Sequence, residues 1–146
     1  MKIKTLVAVL LLSGGVTSTF AQSDCNANSS ISHEAVRAKN FKDAYAPCMA
    51  VLKDCPTLRY YTYTDAQKIL TGLMSQIKDR NSAEYKKLFD ELMAVHDQKM
   101  KYIPEFASKM KGVPSVASAL GTKAVDYLQY APAPDLNQAY ADRKST

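Results

Sequence analysis

Asn81-Ser82-Ala83-Glu84-Tyr85-Lys86-Lys87-Leu88-Phe89-Asp90-Glu91-Leu92-Met93-Ala94-Val95-His96-Asp97-Gln98-Lys99-Met100-Lys101-Tyr102-Ile103-Pro104 is the stretch that decides how this chain folds. Within it Tyr85, Leu88/Phe89, Leu92, His96, Met100 and Ile103 recur every three or four residues, the period of a single helix face. Asn81 or Ser82 can accept hydrogen bonds from the free amides of the first turn, and Glu84 suits the positive end of the helix dipole. Pro104 stands where a helix can restart but not continue. The stretch therefore reads as one amphipathic helix, buried along its apolar seam and bounded at both ends.

The same period extends to both sides. Leu58 to about Asp79 reads as a helix whose first turn is aromatic, Tyr60-Tyr61-Thr62-Tyr63-Thr64, with a stripe continuing through Ala66, Ile69/Leu70, Leu73 and Ile77. Beyond Pro104 a short helix is expected with Phe106 and Met110 inward, stopped by Gly112-Val113-Pro114. Ser115 opens another, with Val116, Ala119/Leu120, Ala124, Tyr127/Leu128 and Ala131 on one face and Pro132 and Pro134 at its end. Asp135 is a cap for a last short helix from Leu136 to Tyr140, and Asp142 to Thr146 form a polar tail. Upstream, Ser30–Ala38 and Phe41 to about Asp54 make a helical hairpin with Lys39-Asn40 at its turn. Pro47, inside the second of these helices, implies a kink or a late start. The expected fold is all-α: antiparallel helical hairpins stacked as a short solenoid over residues 30–141, behind a polar lead-in at 22–29.

Residues 1–21 have a different character. Lys2 and Lys4 precede the apolar run Leu6–Leu12, and Thr19-Phe20-Ala21 is a small-x-small cleavage site. This pattern reads as a secretory signal peptide, too short for a membrane span. Asp24 before Cys25 and Gln22 three residues before it do not fit a lipoprotein signal, so the expected product is exported, periplasmic or secreted, and not lipid-anchored. Removing the leader lowers the formal charge from +5 to +3. The remaining lysines alternate with apolar residues at helical spacing, as on a solvated helix face. Neither nucleic acid nor a membrane is an expected partner.

Three cysteines in an exported chain suggest one disulfide and one thiol left over. In an antiparallel hairpin the start of the first helix lies beside the end of the second, which brings Cys25 to Cys55. Cys48 is roughly 10 Å from Cys55 along a helix at about 1.5 Å per residue, beyond disulfide reach. Cys48 itself is either a reactive thiol or, the favoured reading, a small buried apolar residue. His33 and Glu34 are adjacent and so face different directions. His96 lies on the apolar seam and is expected to be packed with one hydrogen bond satisfied. No metal-ligand, phosphate-loop or nucleophile-elbow motif is present, so no catalytic, metal or cofactor residue is assigned. Tyr60, Tyr61 and Tyr63 are either inter-helix packing or a partner-contact patch.

Phe41, Ala44, Val51 and Pro56 carry the spacing of the second helix of a tetratricopeptide repeat, with a small residue where the helices cross. From Cys25 to Tyr140 the chain resembles the start of the exported tetratricopeptide-type proteins of the Bacteroidetes. The residues that carry the likeness include Asn40-Phe41, Ala44-Tyr45-x-Pro47, Cys55-Pro56, Lys68-Ile69-Leu70, Asp97-Gln98-Lys99 and Gly121-x-Lys123-Ala124-x-Asp126-Tyr127-Leu128. Members of that family are several times longer and carry a large aromatic where this chain has Cys48. The resemblance implies an all-α solenoid and no enzymatic residues. The expected function is an extracytoplasmic, non-enzymatic protein-interaction module that binds a partner in the cell envelope, with self-association through the C-terminal helices as a further option. The alternatives are an enzyme or accessory factor acting on an envelope polymer, or a truncated piece of a longer repeat protein.

Overall fold

The computed structural model describes residues 17–144. The leader read at residues 1–21 lies outside the described residues up to position 16, and Thr17 already opens the first helix. The helices are α1 (Thr17–Arg37), α2 (Phe41–Asp54), α3 (Tyr61–Met74), α4 (Ala83–Lys109), α5 (Val116–Tyr130) and α6 (Leu136–Lys144). No strand occurs among the described residues. Each helix packs on the next, and α1 also touches α3. Among the described residues no helix is long and apolar enough to cross a membrane.

Local chemistry sets most boundaries. Lys39 adopts a left-handed φ of 57°; its N–H bonds Val36 O at 2.9 Å and that of Asn40 bonds Ala35 O at 2.8 Å, a Schellman closure of α1. Asn40 then caps α2 by accepting from the Asp43 N–H. Ser82 caps α4 and Ser115 caps α5, accepting from the amides of Tyr85 and Ser118. Gly112, at φ 82°, makes the turn after α4.

The core lies between α2, α3 and α4: Ala44, Cys48 and Leu52 meet Tyr63, Ile69, Leu70 and Met74, which meet Tyr85, Leu88, Leu92 and Phe106. Removing each large apolar side chain from water contributes about 1.5–3 kcal/mol. Gly72 lets the second helix pair close on the first, because a Cβ there would stand 2.4 Å from the Phe41 ring.

Five boundaries and faces differ from expectation. Pro104 does not interrupt α4, which runs through it to Lys109. A proline in a helix interior costs about 3 kcal/mol. Continuing the helix buries Ile103 and Phe106, and Phe106 packs edge-on against Tyr60 and Tyr63 at centroid distances of 5.5 and 6.1 Å. Met110, expected inward, is exposed, because α4 ends at Lys109 and Met110 is already extended backbone. The third helix is shorter than Leu58–Asp79: the Ser75 hydroxyl bonds Gly72 O at 2.6 Å and tight turns take over to Ile77. The lead-in at 22–29 is helical, continuous with α1, where Cys25 is tied down by its bridge to Cys55. α2 starts at Phe41, ahead of Pro47, so there is no late start.

Candidate functional site

Polar side chains that interrupt the apolar stripes collect at two junctions. At the first, α1 supplies His33 and α3 supplies Asp65, with imidazole Nδ1 2.7 Å from carboxylate Oδ2. The Asp65 side chain is 3% exposed and that of His33 38%, so the acid anchors the ring from behind. The Tyr61 ring lies 4.6 Å from the imidazole, centroid to centroid. Arg59 closes this cluster: Nη1 donates to Tyr61 Oη at 2.6 Å and to Ser29 Oγ at 3.3 Å, and Nη2 to Asn26 Oδ1 at 3.3 Å. Sequence reading left His33 without a convergent partner, and the helix packing provides one.

At the second junction, His96 on α4 is fully buried between α3 and α5. Its Nε2 lies 2.7 Å from Asp126 Oδ2, and its Nδ1 lies 3.3 Å from the Gln67 side-chain nitrogen. With the Gln67 amide donating to Nδ1, the ring proton sits on Nε2 and is donated to Asp126. The expectation of one satisfied hydrogen bond is thus corrected to two, because α3 and α5 flank the ring from both sides. Lys99 is one turn further along α4 and only 4% exposed; burial lowers its pKa, and the Asp126 carboxylate partly opposes that. An imidazole with no exposed surface reaches no substrate. This arrangement joins three helices.

The tyrosine cluster is divided. Tyr63 is fully buried and its hydroxyl donates to Pro56 O at 2.8 Å. Tyr60 leans on Phe106, while Tyr61 faces the α1 side with Arg59 and His33. The three do not share one surface. Cys25 and Cys55 form the disulfide, with α-carbons 6.3 Å apart. Cys48 is buried, and its thiol is pushed up to about 12, first by burial and then by the Asp65 carboxylate. A thiol so perturbed stays protonated at neutral pH.

A surface concavity lies elsewhere, across α2, the end of α3 and the start of α4. It has a volume of about 520 Å³ and is lined by Lys42, Tyr45, Leu73, Gln76, Ile77, Glu84, Lys87 and Leu88. Tyr45 is fixed beside it by donating to the Glu91 carboxylate, 2.8 and 2.7 Å from its two oxygens; burial, then Glu91, raises its phenol to about 12. A smaller cleft of about 230 Å³ lies between α4, α5 and α6. Among the described residues no group of three or more His, Cys, Asp and Glu side chains is placed to hold a metal ion.

Sequence reasoning missed Arg59, Asp65, Gln67 and Asp126. One usable signal existed for Asp65: it falls beside Ala66 and three residues after Thr62 on an inward face, and a polar group on a buried face needs a partner. No family model matches this chain, and no curated protein or solved structure was found to be similar to it.

Proposed function

We propose that this chain is an extracytoplasmic, non-enzymatic protein-interaction module whose tetratricopeptide-like helical pairs offer a groove to a partner of the cell envelope. The observation that carries the reading is the open groove across α2, α3 and α4. Leu73, Ile77 and Leu88 give it an apolar floor, Lys42, Glu84 and Lys87 stand at its rim, and Lys87 pairs with Glu91 at 3.8 Å. That combination suits a partner segment whose apolar side chains are flanked by polar ones of both charges. Sequential helix packing with an additional α1–α3 contact supports a repeat-like stack. The Cys25–Cys55 disulfide is compatible with an oxidising compartment. Both imidazole–carboxylate pairs are engaged in joining helices, which supports the non-enzymatic part of the reading.

A photo-crosslinking residue at Leu73 or Leu88, introduced into the chain in its native cells, tests the proposal. A discrete adduct from the groove positions, absent when the same label replaces Thr122 on α5, is the expected result. No adduct from either groove position, or the same adducts from Thr122, overturns it. Release of soluble fragments from envelope polymers by the purified chain favours the enzyme alternative.

A further inference from the structure

We infer that a second copy of this chain docks on the outward face of α5, the two helices crossing antiparallel at Gly121. One side of α5 is turned to α4. There Lys123 Nζ lies 2.7 Å from Asp97 Oδ1, Asp126 Oδ2 lies 2.7 Å from His96 Nε2, and the Tyr127 ring packs beside Phe89. The opposite side carries Ala117, Gly121, Val125 and Leu128, spaced by four, four and three residues, the period of one helix face. All four are exposed, Val125 by 60% and Leu128 by 41%.

Gly121 is the residue that the chain's own fold does not use. It lies inside α5, outside the left-handed region, and a Cβ there would meet nothing within 4 Å among the described residues. Glycine inside a helix is destabilising relative to alanine, and what it offers in exchange is close approach of another backbone. Ala117, one turn before it on the same face, widens that approach.

Size and charge point to a second copy as the occupant. A two-fold axis at Gly121 brings Ala117 of one copy beside Val125 of the other, and Pro114 beside Leu128. The small residue of each pair then receives the larger one, so the face is complementary to itself, as an isologous contact requires. α5 has only two charged residues, Lys123 and Asp126, and both are engaged with α4. Two copies of this net-positive chain therefore meet here without opposing like charges. One helix face is a small interface, so the dimer is weak and concentration-dependent.

The test is sedimentation velocity of the folded, disulfide-intact chain from about 5 to about 500 µM, the range of weak specific association. The expected result is a reversible monomer–dimer equilibrium with a Kd of about 10–100 µM. Val125→Glu weakens it tenfold or more. Ile31→Glu, which removes a comparably exposed apolar residue (57%) from α1, leaves it unchanged. Gly121→Ala separates docking from folding: it raises the Tm of the dilute monomer and weakens the dimer threefold or more. Chains carrying Ala117→Cys and chains carrying Val125→Cys, mixed and oxidised, link to each other faster than either links to itself. A monomer throughout the range, a dimer as tight in Val125→Glu or Gly121→Ala as in the wild type, an equal loss in Ile31→Glu, or same-position links forming fastest overturns the proposal. These outcomes do not depend on the groove, where an adduct contains a different protein and not twice the mass of this chain.

Discussion

His96 and Asp126 meet at 2.7 Å across the α4–α5 boundary although the imidazole has no exposed surface. The seam of α4 is otherwise apolar, so this bond and the Gln67 contact fix how α5 is rotated against α3 and α4. A buried polar group left without its partner costs about 1–3 kcal/mol beyond any lost packing. His96→Ala is therefore expected to destabilise the chain by about 3 kcal/mol in urea unfolding. Asp126→Asn, which keeps an acceptor, should cost less than half as much. Equal losses in the two variants would show that the charge of Asp126, not the bond geometry, matters.

Gly72 is the position where α3 receives the Phe41 ring, and a methyl group there would meet the ring at 2.4 Å. Alanine is the better helix former by about 1 kcal/mol. Overpacking nevertheless outweighs propensity here, and Gly72→Ala is expected to lower stability by about 1–2 kcal/mol. In the Phe41→Ala background the same change should be neutral or stabilising, which a double-mutant cycle measures directly.

The Cys25–Cys55 bridge spans a sequence separation of 30 and ties the middle of α1 to the end of α2. Chain-entropy reasoning assigns such a loop about 3–4 kcal/mol. Replacing both cysteines by serine should lower the unfolding free energy by that amount. A reductant should shift the wild-type Tm toward that of the double variant and leave the variant unmoved. Alkylation of the folded oxidised protein should spare Cys48, which is buried with its thiol raised to about 12.

Lys99 carries a pH-dependent cost. Its pKa is lowered from the ordinary 10.5, chiefly because burial disfavours the ammonium. Between the folded value and 10.5 the unfolded chain binds more protons, so stability rises with pH across that window. Below the window the full cost is present. Lys99→Met is accordingly expected to raise stability at pH 7 by about 1 kcal/mol, roughly 4 °C in Tm. The gain should shrink as the pH approaches 10.5. A gain that stays constant with pH would trace the effect to packing alone.

Much of the helical layout was legible because it depends on near neighbours. Ser82 and Ser115 cap the helices they precede, Asn40 follows the turn that closes α1, and Gly112 takes the left-handed turn after α4. Pro104 misled for the opposite reason: its local cost is real, and distant aromatic partners, Tyr60 and Tyr63, outweigh it by packing on Phe106. The polar clusters were not legible. His33–Asp65 and His96–Asp126 join residues 32 and 30 positions apart, and no local pattern states which faces of two helices will meet.

Spacing, caps and cysteine positions by themselves determined that the chain is helical, where most helices start and stop, and that Cys25 and Cys55 can join. These follow from backbone hydrogen bonding and from periodicities within a few residues. Tertiary structure alone decided that Tyr63 is core while Tyr61 lies beside Arg59, that His96 is satisfied on both nitrogens, and that a groove opens between Tyr45, Ile77 and Leu88. Those outcomes depend on how rods rotate and settle against one another, which is set by the summed packing of side chains distant in sequence.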